Sequence, residues 1–305
     1  MSRRWKSESW TAAAWDHLHR GRHVLLGTEP WIFRQRSEFQ DVAIAQVPEF
    51  GKGLFLDANV QFLEMDEFVY HEAFALPPLL FHPDPTRVLI AGGGDGLALR
   101  EVLRDPRVGE VVLVEIDSVV VEACRQHLSS LHRGSFESSR ANILIDDALT
   151  YLASSSASFD VILLDLLDGY DEAGLDLYQK ILPLAKNALR VGGIVGGFGE
   201  LARPHMPVWW IRRGLMRHFA NVVCHRAAIE SFASSYAFLL ASDSVDFQRA
   251  PRQSLMARAE ALDGELRSLV PDLYPSSFRL PRYLQDVLDG PPPPAPHGEI
   301  EWLEL

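Results

Sequence analysis

The 305-residue sequence has few of the features that mark secreted, membrane-spanning or disulfide-stabilised proteins. Its two cysteines, Cys124 and Cys224, stand at unrelated places, which favours reduced, buried thiols over a disulfide or a metal site. No apolar run approaches the roughly 20 residues that a membrane-spanning helix needs. The basic N-terminus has no apolar segment behind it, so we expect no secretion signal. These absences predict a cytoplasmic protein without a membrane partner.

Positive charge is scarce as well. Lysine and arginine number 29 against 41 acidic residues, which gives a formal net charge of -12. Because the phosphates of a nucleic acid would be repelled, this balance argues against a nucleic-acid partner. The same excess of acids is compatible with a cationic ligand, although many cytoplasmic enzymes are equally acidic.

The spacing of apolar residues predicts an α/β fold with a small antiparallel β domain in front of it. From about Trp31 to Glu64 the apolar residues alternate between turn residues, as in short hairpin strands. From about Arg87, short apolar runs alternate with helical patterns, as in a doubly wound parallel sheet. A predicted hairpin near 221–227 and 235–240 closes this region.

We expect three regions along the chain. The first is an N-terminal β domain at 1–70, and the second is a nucleoside-binding α/β domain at 71–243. The third, at 244–305, is predicted to hold helices over 253–269 and 281–288 and a proline-rich tail.

Glycines follow the first predicted strand of the α/β domain. Gly92, Gly94 and Gly96 would let the backbone turn tightly and approach a ligand, although a tight turn without a ligand is the alternative. Their spacing is one residue shorter than the dinucleotide pattern, which favours an adenosyl sulfonium. Asp95, within the loop, would attract an ammonium group and repel a carboxylate. That favours decarboxylated S-adenosylmethionine over S-adenosylmethionine itself.

Acids end the next two predicted strands. Glu115 lies about twenty residues beyond the glycines, where an acid can accept both ribose hydroxyls. Asp146 and Asp147 end the third strand, where a carboxylate could accept from an adenine amino group. Each acid taken alone could be a helix N-cap. Because these acids lie at the carboxyl ends of successive strands, where open α/β sheets bind ligands, we interpret them as one nucleoside site.

The fourth predicted strand runs into Asp165, and Asp168 follows three residues later. Two acids in the predicted cleft can hold a cationic amine, and a carboxylate can take its proton as the nitrogen attacks. An alkyl amine has a pKa of about 10, and lowering that pKa to about 7 costs about 4 kcal/mol. No metal is required for this step, and we expect none. Asp168 precedes Gly169 and could instead be a turn residue.

These residues resemble the spermidine synthases, the polyamine aminopropyltransferases, over nearly the whole chain. The heptad from Asp66 to Glu72, which reads Asp-Glu-Phe-Val-Tyr-His-Glu, is nearly diagnostic of that family. Further similarity lies in the segments 37–41, 50–57, 88–101, 115–117 and 277–281, and in Gln61, Asp147 and the pair Asp165 and Asp168.

The resemblance implies an N-terminal β domain, a methyltransferase-like α/β domain and a homodimer. The expected co-substrate is decarboxylated S-adenosylmethionine or S-adenosylmethionine. The resemblance also implies roles for individual residues. The nucleoside would be held by Gln40, Gln61, His71, Asp95, Glu115 and Asp147. The amine substrate would be held by Tyr70, Asp168 and Tyr236, with Asp165 as the base. Without the resemblance, Tyr70 and His71 would be an ordinary half-buried pair at the start of a helix.

The sequence departs from the family pattern mainly on the amine side. Leu97 replaces the last glycine of the loop, and Leu166 with Leu167 replaces small polar residues between the two acids. Phe198 stands where the family often has a glutamine that touches the polyamine, and 231–234 replaces a Pro-x-Gly segment. Apolar replacements near a diamine remove hydrogen bonds. They suggest an acceptor that is bulkier, more apolar or longer than putrescine.

Two other functions stay open at this point. One is a different alkyl transfer from S-adenosylmethionine, most simply N-methylation, with S-adenosylhomocysteine as coproduct. The other is a non-enzymatic paralog that binds the nucleoside or a polyamine as an assembly or regulatory subunit. Retention of both Asp165 and Asp168 counts against the regulatory subunit.

Overall fold

A computed structural model describes residues 26–28, 30–166, 172–200, 207–274 and 276–292. In this part of the chain an antiparallel sheet of four strands precedes a mixed sheet of seven. Helices cover both faces of the second sheet, so the predicted fold class is confirmed.

The first sheet is a simple meander in which each strand pairs with the next. Positive φ angles at Asp57 and Ala58 make the two-residue turn between the third and fourth strands, as favoured hairpin turns require. The strands are β1 (Trp31–Arg36), β2 (Asp41–Val47), β3 (Gly51–Leu56) and β4 (Asn59–Leu63).

The second sheet begins after a buried helix and alternates strands with helices. Its elements are α1 (Glu67–Phe81), β5 (Arg87–Gly92), α2 (Leu97–Leu103), β6 (Glu110–Glu115), α3 (Ser118–His127), α4 (Ser129–His132), β7 (Ala141–Ile145), α5 (Ala148–Ala153), β8 (Phe159–Asp165), α6 (Glu172–Ala188), β9 (Leu189–Glu200), α7 (Pro207–His218), β10 (Asn221–Ile229) and β11 (Ser234–Ser242).

The strand order is β10-β11-β9-β8-β5-β6-β7. The five strands from β9 to β7 are parallel, and the hairpin of β10 and β11 adds antiparallel pairing at one side. The order reverses at β5, whose neighbours are β6 and β8. Ligands of doubly wound sheets bind at the carboxyl ends of the strands beside such a reversal.

The C-terminal region contains α8 (Arg252–Glu260) and α9 (Arg282–Asp289), with short 3-10 turns between them. The second helix confirms the prediction over 281–288. The prediction over 253–269 is wrong beyond Glu260, because Gly264 has a φ of +77° and the backbone amides of 267–269 donate to the carboxylate of Glu72. Those amides are therefore not available for the hydrogen bonds of a helix.

The two sheets share a core. Leu97, fully buried at the start of α2, packs with Val42, Ile44 and Phe62 of the first sheet. Leu97 thus joins the glycine loop to the N-terminal sheet. Within the described ranges, every helix is too short or too polar to cross a membrane. The domain boundaries at 70 and 243 stay predictions.

Candidate active site

The glycine loop lies between β5 and α2, where it touches two of the predicted acids. A Cβ atom added to Gly92 would lie 1.9 Å from the carbonyl oxygen of Asp165, and one added to Gly94 would lie 2.7 Å from Cγ of Glu115. Gly92 and Gly96 also have φ angles of +85° and +78°. Glycine is therefore needed here for close approach and for backbone conformation.

Glu115 ends β6 with both carboxylate oxygens turned toward backbone amides. Its Oε2 accepts from the amide of Gly94 at 3.1 Å, and its Oε1 accepts from the amide of Asp117 at 2.9 Å. Burial raises the pKa of Glu115, while these hydrogen bonds act in the opposite direction. The loop and the acid are thus one unit, with carboxylate lone pairs left to accept from a ligand.

Asp95 faces two ways. Its Oδ1 accepts from the amide of Leu97 at 2.7 Å, within the turn that precedes α2, while its Oδ2 lies 4.0 Å from Nε2 of His71. The hydrogen bond to Leu97 occupies only one of the two carboxylate oxygens. The other oxygen lies beside a buried imidazole.

His71 is held by the first turn of α1. Its Nδ1 lies 2.7 Å from the carbonyl oxygen and 3.0 Å from Oε2 of Glu67. Because both partners are acceptors, Nδ1 carries a proton and Nε2 is directed toward Asp95. Burial lowers the pKa of His71, but the hydrogen bond to Glu67 and the charge of Asp95 outweigh it, so the net shift is upward.

Glu67 is in turn gripped by Arg100 of α2. The two guanidinium nitrogens Nη1 and Nη2 donate to the two carboxylate oxygens at 2.9 and 2.8 Å, and both side chains are buried. Burial alone would raise the pKa of Glu67, but its hydrogen bonds to His71 and Arg100 lower it to about 2. We call Glu67, His71, Arg100 and Asp95 the charged network.

Asp165 ends β8 at the centre of the candidate site, level with Gly92 of β5. Its Oδ1 accepts from the hydroxyl of Tyr70 at 3.4 Å. Loss of hydration and the nearby charge of Asp95 raise the pKa of Asp165 to about 7, against the opposing effect of His71. A carboxyl group of this kind exchanges a proton near neutral pH, as a general base must.

On the other side of Tyr70 lie aromatic rings. The ring centroid of Tyr70 is 5.5 Å from that of Phe198, 5.9 Å from that of Tyr236 and 6.5 Å from that of Phe232. Phe232 and Tyr236 are themselves 5.2 Å apart. We call these four side chains, from α1, β9, β11 and the turn before β11, the aromatic wall.

The remaining predicted residues lie at the edges of this cluster. Gln40 donates to the carboxylate of Asp117 at 3.0 Å, and Gln61 lies exposed on β4 and donates to the carbonyl oxygen of Asn59. Asp147 caps α5 through the amide of Leu149, as the alternative for this acid foresaw. Asp146, also exposed, accepts from the amide of Asp147. Asp168 lies outside the described residues.

Sequence reasoning did not select several residues of the site. Glu67 was visible only as part of a family string, and Asp117, which binds Gln40 and Ser37, was visible only as a neighbour of Glu115. Ile116 and Ile145 are 44% and 52% exposed beside the acids that end β6 and β7. Exposed apolar side chains next to these acids could pack against the flat ring of a heterocyclic ligand while the acids accept its hydrogen bonds. A search for polar groups alone overlooks such residues.

The chain is similar in sequence to known proteins of one family. The model of the spermine/spermidine synthase domain matches residues 67–208, and that of the spermidine synthase tetramerisation domain matches residues 18–64. A polyamine aminopropyltransferase of Aeropyrum pernix is 40% identical over 233 residues, which is 74% of this chain and 73% of that protein.

Solved structures agree as well. The crystal structure of a spermidine synthase from Thermotoga maritima has a TM-score of 0.78 at 27% identity, covering 92% of this chain and 93% of the other. A spermidine synthase in complex with the transition-state analogue AdoDATO has a TM-score of 0.80 at 28% identity, covering 88% of this chain and 91% of the other.

The architecture is that of the methyltransferase-like α/β enzymes, here with an added N-terminal sheet. Within that class the chain belongs to the spermidine synthase family, the aminopropyltransferases. The resemblance that the motifs indicated is therefore confirmed.

Proposed function

We propose that this enzyme transfers the aminopropyl group of decarboxylated S-adenosylmethionine to a polyamine-type amine, putrescine or a bulkier relative, and releases methylthioadenosine. The observation that carries the proposal is Asp165, a strand-end carboxyl group with a pKa of about 7, in contact with Tyr70 and beside the glycine loop. The names of the relatives and the analogue bound in one structural neighbour support the same reaction.

The donor would lie across the carboxyl ends of β5, β6 and β7. In this proposal Glu115 accepts both ribose hydroxyls, Asp147 accepts from the adenine amino group, and the exposed Ile116 and Ile145 contact the base. Asp95 would accept from the ammonium group of the aminopropyl chain. Gly92, Gly94 and Gly96 would keep the backbone close to the sulfonium, and Gln40 with Gln61 would cover the nucleoside from the N-terminal sheet.

The acceptor amine would approach from the side of Tyr70, with Tyr236, Phe198 and Asp168 around it. Its nitrogen attacks the propyl carbon next to the sulfonium, a C–N bond forms, and the C–S bond breaks to leave a neutral thioether. The proton that the nitrogen loses passes to Asp165. Because the pKa of Asp165 is about 7 rather than its usual value near 4, the carboxylate is a stronger base than an ordinary aspartate at neutral pH.

The product of the reaction tests this proposal. Purified enzyme is incubated with decarboxylated S-adenosylmethionine or S-adenosylmethionine and a panel of amines, and the nucleoside product is identified by mass. Methylthioadenosine is the expected product. S-adenosylhomocysteine would instead establish methyl transfer, and the absence of either product with every amine would refute both reactions.

The role of Asp165 is tested by Asp165→Asn. We expect kcat to fall at least tenfold, and up to about 10⁴-fold, with binding of methylthioadenosine retained. Asp160→Asn is the matched control, because Asp160 is an acid at the opposite end of β8 that pairs with Arg190. A rate in Asp165→Asn equal to that of the control would remove Asp165 as the base.

Assembly and location are proposals as well. The sequence predicts a homodimer, and the match of residues 18–64 to a tetramerisation domain favours a larger homo-oligomer. Sedimentation equilibrium separates dimer from tetramer. The cysteines Cys124 and Cys224 are free and buried, which supports a reducing, cytoplasmic compartment.

A further inference from the structure

The aromatic wall begins at the reacting carboxylate. The hydroxyl of Tyr70 lies 3.4 Å from Asp165, and the ring of Tyr70 contacts Phe198, Phe232 and Tyr236. An amine whose attacking nitrogen lies at Asp165 and whose carbon chain follows the Tyr70 ring would have the wall beside that chain. Phe198 and Tyr236 are buried and Phe232 is half-buried, so the rings are presented from packed positions.

The wall is tied to the same helix that carries Tyr70. Asp66, immediately before α1, is buried and accepts from the backbone amide of Ser231 at 2.8 Å and from its hydroxyl at 2.7 Å. Ser231 lies in the turn before β11, next to Phe232. The ring of Phe232 thus keeps a fixed place relative to Tyr70, although 162 residues separate them in the sequence.

The chemistry of the wall differs from that of a polar amine site. Among its four side chains the polar atoms are two phenol hydroxyls, and one of these donates to Asp165. A second ammonium group brought against Phe198 and Phe232 would lose water without gaining hydrogen bonds. A cation–π contact would offset only part of that loss. An alkyl or aryl end would bury apolar surface there at no such cost.

We propose that Phe198 and Phe232 determine acceptor specificity by binding the carbon chain of the amine, so that the enzyme selects amines with an apolar remote end as readily as diamines. This inference rests on the proposed function for the position of the attacking nitrogen. It assigns to Phe232, and to the Asp66–Ser231 contact that holds it, a role in substrate choice.

A pair of amines of equal length tests the proposal. Butan-1-amine and butane-1,4-diamine are titrated by calorimetry into the enzyme saturated with methylthioadenosine, and the ratio of their Kd values is compared among variants. In the wild type we expect the two Kd values to agree within about threefold. Phe198→Gln and Phe232→Gln, which offer a carbonyl oxygen to the second ammonium group, should each shift the ratio about tenfold toward the diamine.

Phe247→Leu is the control, because Phe247 is a fully buried ring of the same core that packs on Phe81 rather than on Tyr70. Its ratio should equal that of the wild type. A wild type that binds the diamine at least tenfold more tightly, or glutamine variants that leave the ratio unchanged, would overturn the inference. If Phe198→Gln binds neither amine, the ratio of Kd values in Phe232→Gln decides the question, because Phe232 is only half-buried and its replacement disturbs the core less.

The outcome is separable from that of the proposed function. Selectivity in binding by a protein that forms no methylthioadenosine would refute the transfer reaction and keep the role of the wall. Methylthioadenosine formation with an unchanged ratio of Kd values in both glutamine variants would keep the transfer reaction and refute the role of the wall.

Discussion

Charged side chains lie on one side of Asp165 and aromatic side chains lie on the other. On the donor side the charged network joins α1, α2 and the glycine loop through Glu67, His71, Arg100 and Asp95. On the acceptor side the aromatic wall joins α1 to the β9 and β11 strands by ring contacts. The first side is fixed by ion pairs and hydrogen bonds, and the second is fixed by packing.

This difference gives a physical reason for the departures from the family pattern that the sequence predicts on the amine side. Removal of one member of a buried ion pair leaves a buried charge without its partner, so members of such a network resist single replacement. Apolar packing tolerates exchange of one ring or chain for another when volume is kept. The nucleoside side therefore keeps Glu67 and His71 of the family string, whereas the amine side carries Phe198 and Phe232.

The largest stability loss is expected at Glu67, in the charged network of the donor side. We expect Glu67→Gln to lower the free energy of unfolding by about 3–5 kcal/mol, because Arg100 would lose one of its two buried carboxylate partners and keep only Glu101. Urea denaturation measures the loss. A cost below about 1 kcal/mol would contradict a structural role for the charged network.

Asp41→Asn provides the matched control, since Asp41 also pairs with an arginine but on the surface. Its carboxylate lies 2.7 Å from Nη2 of Arg34, and the side chains are 24% and 53% exposed. Solvent screening limits such a pair to less than about 1 kcal/mol, so the control should unfold almost as the wild type does.

Two acids of the donor side, Glu115 and Asp95, should each contribute to nucleoside affinity. Glu115→Gln should weaken binding of methylthioadenosine by about 10- to 100-fold, because each hydrogen bond to a charged group contributes about 1.5–3 kcal/mol. Asp95→Asn should weaken decarboxylated S-adenosylmethionine more than methylthioadenosine, since only the former has an ammonium group. Calorimetry gives both affinities.

Glu110→Gln serves as the control for these two variants. Glu110 is an acid at the opposite end of β6, where it pairs with Arg87 on the surface, and its replacement should leave both affinities unchanged. Equal losses for the two nucleosides in Asp95→Asn would argue against the proposed contact between Asp95 and the ammonium group.

The sequence was sufficient to predict the fold and the positions of the strand-end acids. Glu115 and Asp165 follow apolar runs, and parallel strands bring their carboxyl ends to one edge of a sheet. Position along a strand is a local property, so periodicity and glycine spacing were enough to locate these groups.

Contacts between distant parts of the chain could not be predicted in this way. Arg100 grips Glu67 across 33 residues, and the carboxylate of Glu72 takes backbone amides about 195 residues away. The second contact ended a helix that the pattern over 253–269 had predicted. Local helix propensity does not predict such partners, because these hydrogen bonds between distant residues form only in the folded chain.

A smaller change in stability is expected at Asp165, where the two sides meet. Its folded-state pKa is raised from 3.8 to about 7, so the fold favours the protonated carboxyl group. Stability associated with that proton is complete below the unfolded pKa near 4 and is lost as the pH rises through about 7. Asp165→Asn mimics the neutral form at every pH.

We therefore expect Asp165→Asn to melt at the same temperature as the wild type near pH 4 and at a higher temperature at pH 8. The gain should be about 2–4 °C for each kcal/mol removed, and we expect at least about 1 kcal/mol at this half-buried position. Calorimetric scans at the two pH values measure it. A variant less stable than the wild type at pH 8 would show that the Asp165 carboxylate is favoured by the fold, which would contradict its assignment as a poised base.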